Sequence, residues 1–310
     1  MRWLLSFAGV LWVVPWAFAQ PAGAIQWSQK VEQSVAQAQQ TRQPLMFWVL
    51  GRSDSRDKRV ERDQRQAFRD PLVLEMSTRF VPVRLSRSRY RDLLEKWNLS
   101  PKTNLEIVFV TPDGEKIDTL APQGVRQADV LARKMILVYR HYRQTLFERE
   151  LKPKLEDESA PDKDLEQALK LITQFVILTA DQSVIGLLER PSLSESVRKG
   201  VYEALAALST PASVETLLER AAEDERAAVA LLGCTPDAAE RMLPALEGDD
   251  PALSLAVYRA VTRICRLRDV KADKFWQGRY QVVKQKEIDR VRRDVTAVAE
   301  RWRERYAEYR

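Results

Sequence analysis

Few residues of this chain are suited to acid–base, nucleophilic or metal chemistry. The 310 residues include one histidine, His141, and two cysteines, Cys234 and Cys265. Most zinc sites need about four nitrogen or sulfur ligands, so this composition excludes them, and it also excludes a scaffold held by several disulfides. A histidine-based mechanism would have to use His141, and the chain has no Gly-x-Ser-x-Gly motif to accompany it. We therefore expect no metal and no cofactor.

Two carboxylates are notable for their spacing. Asp54 and Asp57 follow an apolar run at residues 45–50 and begin a highly charged segment of helical character. At a helix start, Asp54 would cap free backbone N–H groups, and Asp57 would interact favourably with the helix dipole. We favour this structural role. Two alternatives stay open: a paired-carboxylate acid–base site, and an anion site on the neighbouring arginines. Those arginines are Arg52, Arg56 and Arg59.

The first residues predict export. Arg2 precedes an apolar run at residues 3–16, and Ala17-Phe18-Ala19 places small residues at the two positions that a signal peptidase recognises. We expect residues 1–19 to be a signal peptide and the mature protein to be periplasmic. The apolar run of about 14 residues is shorter than the roughly 20 that a membrane-spanning helix needs. No membrane span is therefore expected after cleavage.

Export affects the interpretation of the two cysteines. In an oxidising compartment Cys234 and Cys265 could form a disulfide. Both lie in apolar sequence of helical character, where a small buried thiol is expected. The disulfide stays an alternative, because sequence spacing does not show whether the two Cα atoms approach each other.

Charge falls into three blocks. Counting Lys and Arg against Asp and Glu, the net charge is +7 for residues 20–150, −10 for residues 151–258 and +8 for residues 259–310. No nucleic-acid-binding motif accompanies the basic blocks, so we expect no nucleic-acid partner. The acidic block is expected to face a basic block of the same molecule, or a basic partner.

Residues 25–150 show the pattern of an α/β domain. Apolar runs at residues 45–50, 80–85 and 106–110 predict three strands, and a turn at residues 111–114 leads to a hairpin partner. Helical patterns separate the strands. The predicted order is helix, strand, helix, strand, helix, strand, hairpin strand and closing helix.

This domain resembles the thioredoxin-like family, particularly its exported members. The resemblance covers about two-fifths of the chain and rests on short motifs in the family's order. These motifs are Trp27, Ala38, Gln43-Pro44-Leu45, Phe68-Arg69-Asp70-Pro71, Phe80-Val81-Pro82-Val83 and Pro112-Asp113-Gly114.

The sequence departs from the family at the family's functional residues. The resemblance implies a Cys-x-x-Cys pair shortly after the first strand, and Asp54, Ser55, Arg56 and Asp57 occupy that position here. Thiol–disulfide exchange needs a thiolate and a sulfur to attack, so carboxylates cannot perform it. The family's cis-proline is also missing from its expected place before the third strand, since Pro101 lies somewhat early. The domain is therefore predicted to be redox-inactive.

The rest of the chain is predicted to be all-helical. Residues 151–163 are charged and contain proline, and we expect them to be a linker. Within residues 164–270, the segment SVIGLLER at 183–190 recurs as SVETLLER at 213–220, and a degenerate copy, AAERML, begins 25 residues later. Each copy precedes an apolar helix, so the helices are expected to stack as an α-solenoid. The pattern resembles HEAT-type repeats, with a plain helical bundle as the alternative.

Residues 271–310 are predicted to form a long amphipathic helix. An apolar stripe runs along it at spacings of three and four residues: Ile288, Val291, Val295, Val298 and Trp302. We expect this helix to cap the open end of the repeats. The alternative is a coiled-coil seam that forms an oligomer or binds a partner.

Together these features predict an α/β thioredoxin-like N-terminal domain followed by an all-α HEAT-like repeat domain. The expected function is that of a non-catalytic exported module that binds a protein partner. Two alternatives stay open. One is an enzyme that uses the carboxylates of Asp54 and Asp57, and the other is a thiol–disulfide-related protein that acts through a partner.

Overall fold

The computed structural model of the chain describes residues 23–51, 55–99, 104–277 and 281–306. The predicted signal peptide and Asp54 lie outside these residues. The described chain forms two compact units, the first ending at Tyr139 and the second beginning at Arg140. The first unit is mixed α/β, and the described part of the second is helical.

The first unit contains a small sheet and the helices that cover it. Its elements are α1 (Val31–Thr41), β1 (Leu45–Leu50), α2 (Ser55–Ala67), α3 (Pro71–Ser77), β2 (Val81–Ser86), α4 (Arg91–Lys96), β3 (Ile107–Val110), β4 (Lys116–Leu120), α5 (Pro122–Val125) and α6 (Ala128–Leu146). The boundary between the two units falls inside α6. The strands and the major helices of this unit lie where the sequence pattern predicted them.

The four strands have the order β2-β1-β3-β4. Strand β1 pairs in parallel with β2 and antiparallel with β3, and β3 and β4 form an antiparallel hairpin. The two central strands are apolar throughout and almost entirely buried, as expected for strands covered on both faces. Pro82 lies in β2, which is an outer strand of the sheet, where the missing N–H is tolerated.

Each face of the sheet carries its own apolar layer. On one face, alternate residues of β1 such as Leu45, Phe47 and Val49 pack in a core with residues of α1 and α4. The opposite face presents Trp48, whose ring centroid lies 5.5 Å from that of Trp27 and 5.1 Å from that of Phe68. The Trp48 indole N–H donates to Gln64 of α2, so this second layer contacts that helix.

Each outer strand of the sheet makes a further backbone contact. Ser28 pairs with Val83 of β2 as an isolated parallel bridge. On β4, the Asp118 carboxylate accepts a hydrogen bond from the backbone N–H of Thr119 at 2.7 Å, and Lys134 lies 2.5 Å from the same carboxylate.

The second unit is built from helices of 5 to 26 residues. After a π-helical segment at Phe147–Leu151, they are α7 (Lys152–Glu156), α8 (Asp162–Phe175), α9 (Asp181–Leu187), α10 (Glu195–Leu208), α11 (Pro211–Ala221), α12 (Glu225–Ala230), α13 (Pro236–Met242), α14 (Pro251–Ile264), α15 (Asp273–Gln277) and α16 (Gln281–Tyr306). None of the helices in the described residues combines the length and apolar character that a membrane crossing requires.

These helices stack in two layers. Helices α8, α10, α12 and α14 follow one another in one layer, and α7, α9, α11, α13 and α16 follow one another in the other. Helices α10 and α14 also contact their sequence neighbours across the layers. The repeated segments at residues 183–190 and 213–220 are therefore neighbours in one layer, as a stacked repeat array requires.

Polar contacts recur along the array with the repeat. Arg220 pairs with Glu189 at 3.4 Å and Arg226 pairs with Glu195 at 2.6 Å, and both pairs join residues 31 positions apart. A Thr-Pro pair begins both α11 and α13, with the threonine hydroxyl accepting a backbone N–H of the first turn. The repetition thus extends beyond the apolar pattern.

The expected linker at residues 151–163 is largely structured. Residues Lys152–Glu156 form α7, Pro153 occupies its first turn, and Leu151 and Leu155 are buried. The charged composition suggested a linker because proline and acidic residues are common in loops. However, proline is also well suited to a first helical turn, and two leucines are enough to bury one side of so short a helix.

The expected single helix at residues 271–310 is described as two helices, α15 and α16, and residues 278–280 and 307–310 lie outside the described residues. Ile288, Val291 and Val295 of the apolar stripe are buried within the unit, where α16 packs against α13 and α14. These three side chains pack against other helices of the same unit. They are therefore not exposed to form a coiled coil with a second chain.

Candidate functional site

The loop after β1 is the candidate site, because it replaces the Cys-x-x-Cys pair that the resemblance implies. Of the four residues predicted at that position, Asp54 lies outside the described residues. Ser55, Arg56 and Asp57 form the first turn of α2. Asp57 therefore lies where its charge interacts favourably with the helix dipole, as predicted.

Asn104 holds this loop to the rest of the first unit. Its Oδ1 accepts a hydrogen bond from the backbone N–H of Gly51 at 2.6 Å, and its Nδ2 donates to Asp57 Oδ2 at 2.9 Å. One amide side chain thus joins the end of β1 to the start of α2. The guanidinium of Arg87, which follows β2, lies against Gly51. Each of these contacts restrains the loop.

The segment before β3 is where the resemblance implies a cis-proline loop. Pro101 and Thr103 lie outside the described residues, and no peptide bond of the described residues is cis. Leu105 adopts a left-handed backbone conformation with φ of 62°, and its N–H donates to Val49 O at 2.8 Å. Leu105 thus fixes the backbone next to Asn104 against the end of β1.

Gln64 of α2 forms hydrogen bonds with β1 and with the segment that contains Asn104. It is fully buried on α2, accepts a hydrogen bond from Trp48 Nε1 at 2.9 Å and donates to Leu105 O at 2.7 Å. A weaker contact of 3.3 Å reaches Pro122 O. Gln64 therefore ties α2 both to the sheet and to the segment that carries Asn104.

The chemistry available at this loop is that of hydrogen-bonded carboxylates. Next to Leu105, burial raises the pKa of the half-buried Glu106 carboxyl above its ordinary value. Asp57 is engaged by Asn104. No cluster of three or more His, Cys, Asp or Glu residues suited to a metal occurs in the described part of the chain.

The two thiols of the chain lie far along the sequence in the second unit. Cys234 and Cys265 are both buried, and the structure has no disulfide between them. Burial raises the pKa of the Cys265 thiol to about 12, which keeps it protonated and unreactive near neutral pH. His141 is exposed on α6 and makes no hydrogen bond or ion pair with the described residues.

Two residues that matter at this site, Asn104 and Gln64, were not predicted to do so. A lone asparagine such as Asn104 has no local sequence feature that marks it as a contact of a loop 53 residues earlier. Gln64 is an uncharged residue on a strongly charged helix, at a position that turns toward the sheet. Such an uncharged polar residue on the inward face of a charged helix is the sequence feature that could have identified it.

Comparison with known proteins gives no relative for this chain. No family model matches it, and neither a curated protein nor a solved structure does. The function is therefore argued from the residues and contacts described above.

Replacing Asn104 by alanine is expected to destabilise the first unit by about 1–2 kcal/mol, because the Gly51 N–H and the Asp57 carboxylate both lose a partner in a half-buried place. Urea denaturation followed by hydrogen exchange of β1 measures this change. Asn104→Asp is the informative second variant. It keeps an acceptor for Gly51 but replaces the N–H donor to Asp57 by a second carboxylate, so its loss at pH 7 should exceed that of Asn104→Ala and should shrink as salt is added. Wild-type stability in both variants would contradict the assignment.

Proposed function

We propose that this chain is a non-enzymatic exported protein-interaction module, in which a redox-inactive thioredoxin-like unit is joined to a HEAT-like helical scaffold. The element order of the first unit supports the fold part of this proposal. The parallel pair β1 and β2, followed by the β3–β4 hairpin and α6, follows the order on which the resemblance rests. The two-layer stacking of α7 to α14 supports the repeat part.

One observation carries the redox-inactive part. Where a thioredoxin-like enzyme would hold its thiols, the described loop holds Asp57, bound by the amide of Asn104. A hydrogen-bonded carboxylate caps and fixes a helix start, but it cannot attack a disulfide. The thiols that the chain does contain are buried in the other unit. This arrangement favours a structural role for the loop over the carboxylate-enzyme alternative.

The export part rests on residues 1–19 and their small residues before Gln20. An exported protein that lacks thiols in the loop after β1 still has the helical surfaces of its second unit. Repeat arrays bind partners on such surfaces. The partner is therefore proposed to be another protein in the envelope compartment.

The test of redox inactivity is an insulin-reduction assay with the mature chain and dithiothreitol. We expect the rate to equal that of dithiothreitol alone. A variant carrying both Asp54→Cys and Asp57→Cys serves as a matched positive control, because it supplies the missing thiols in the same loop. Reduction by the unaltered chain that disappears in Cys265→Ser would contradict the proposal.

Binding is tested by cross-linking the mature chain in an envelope extract and identifying what it retains. We expect a defined partner that Asp57→Asn retains equally well, because this substitution keeps an acceptor for Asn104. A turnover activity that Asp57→Asn abolishes would favour the enzyme alternative instead.

A further inference from the structure

The outward side of α2 carries a group of exposed basic side chains, which we call the basic face of α2. Its members are Lys58, Arg59, Arg62 and Arg69. Their spacings of three, four and seven residues place them on one side of the helix, opposite the buried Gln64 and Ala67. The Phe68 N–H donates to Gln64 O, so the helical hydrogen bonding continues past the end of α2 towards Arg69.

The carboxylates of the same segment do not neutralise this face. Each of them has a partner elsewhere: Asp57 accepts a hydrogen bond from Asn104, Glu61 pairs with Arg65, Asp63 pairs with Arg126, and Asp70 caps the start of α3. By contrast, the members of the basic face form no ion pair with any residue in the described part of the chain. The face therefore carries uncompensated positive charge.

The positive surface continues from the helix onto the sheet. Arg84 of the outer strand β2 is exposed, and its Cζ lies 6.0 Å from the centre of the Trp48 ring. Arg65 of α2 lies 5.2 Å from the centre of the same ring. Among the described residues Arg84 has no ion-pair partner. One indole ring thus brings a cation of the strand close to the cations of the helix.

This surface has no apolar centre. The large apolar side chains that are exposed in the described residues lie elsewhere in the chain: Leu137, Val229, Val270, Val282 and Val283. A stable protein–protein interface is built around a buried apolar core with a polar rim, which this surface does not provide. An anionic lipid surface requires charge alone, because each Lys or Arg near it strengthens binding about fivefold.

We propose that the basic face of α2, together with Arg84, binds an anionic lipid surface. Clusters of about four to eight Lys and Arg on one helix are a feature of proteins that bind such surfaces, and the planar guanidinium of arginine matches a phosphate group with two parallel hydrogen bonds. The proposal goes beyond the interaction-module function, since it adds a membrane surface to the protein partner. Attachment by charge alone is peripheral and reversible.

The test is co-sedimentation of the mature full chain with vesicles of equal parts phosphatidylglycerol and phosphatidylcholine, and with vesicles of phosphatidylcholine alone. We expect binding to the anionic vesicles only. It should weaken as salt is added, because the Debye length falls from about 10 Å at 0.1 M to about 3 Å at 1 M. The triple variant Lys58→Gln, Arg62→Gln and Arg69→Gln should bind about a hundredfold more weakly, at about fivefold for each charge removed.

A matched control removes the same number of charges from another exposed helix. It is the triple variant Lys286→Gln, Arg293→Gln and Arg301→Gln on α16, whose three cations also form no ion pair with the described residues. The two variants have the same net charge, so only the position of the change differs. The control should bind the anionic vesicles as the unaltered chain does. Thermal unfolding verifies that both variants are folded, and Arg62→Gln alone, expected to weaken binding about fivefold, replaces the first variant if that one is unstable.

Three results would overturn the proposal. Equal loss of binding in the two triple variants would mean that the net charge matters and the basic face does not. Equal binding to phosphatidylcholine vesicles would mean that charge is not recognised. The third result is no binding to either vesicle at low salt, and capture on polyglutamate that depends on the same three residues would then assign the face to an acidic protein. None of these results bears on redox inactivity or on the envelope partner, which insulin reduction and cross-linking test separately.

Discussion

Replacing Gln64 by leucine is expected to lower the free energy of unfolding of the first unit by about 3 kcal/mol. Leucine is similar in size, so the packing changes little. The substitution leaves the Trp48 indole N–H and the Leu105 carbonyl without the partners that Gln64 now supplies. Each buried polar group without a partner costs about 1–3 kcal/mol. Urea denaturation monitored by hydrogen exchange of β1 measures the loss.

Two further variants separate the lost hydrogen bonds from a general effect of the substitution. Gln66→Leu makes the same change at an exposed position of the same helix and should alter stability by less than about 0.5 kcal/mol. Adding Trp48→Phe to Gln64→Leu removes the orphaned indole N–H, so the second substitution should cost less in this background than in the wild type. Equal costs in the two backgrounds would show that the two side chains are not coupled.

In the second unit, Arg143→Met is expected to cost about 2–3 kcal/mol. Arg143 is buried, and its Nη1 donates to Phe175 O at 3.1 Å and to Val176 O at 2.9 Å. These carbonyls end α8, where Val176 adopts a left-handed conformation and a positive charge interacts favourably with the helix dipole. Methionine keeps the aliphatic length of arginine but supplies neither the charge nor the hydrogen bonds.

The matched control for Arg143 is Arg133→Met, an exposed position on the same helix, which should change stability by less than about 0.5 kcal/mol. Thermal unfolding, with hydrogen exchange of residues 162–177 as a local probe, distinguishes the two variants. Faster exchange at the end of α8 in Arg143→Met alone is the expected result. Equal behaviour of the two variants would mean that Arg143 does not hold the end of α8.

The strands and helices of the first unit could be predicted because the pattern of apolar and polar residues in each segment matches the burial of that segment in the structure. The continuous apolar run at Leu45–Leu50 has no polar side to expose, so it had to be a strand buried on both faces. The alternation in Val81–Ser86 is likewise that of an outer strand. The recurrence of residues 183–190 at 213–220 showed the stacking of the second unit, because similar segments bury similar faces.

The parts that could not be predicted depend on contacts between residues distant in sequence. Asn104 and Asp57 are 47 positions apart, and Gln64 and Leu105 are 41 positions apart. No local pattern indicates such pairs. The boundary between the two units was also not predictable from sequence. It lies inside α6, and a helix that continues through a boundary has no break in composition to mark it. The linker prediction depended on such a break and was placed too late in the chain.

The outer strands of the small sheet bear on how this protein behaves when concentrated. An unpaired strand edge is a template on which a second chain can add a strand, and this is a common start of aggregation. Here Ser28 covers part of β2, and the Asp118 carboxylate takes the N–H of Thr119 on β4. A chain approaching β4 would have to displace a carboxylate that Lys134 also holds. Strand addition by a second copy of the first unit is therefore expected to compete with these contacts at both edges of the sheet.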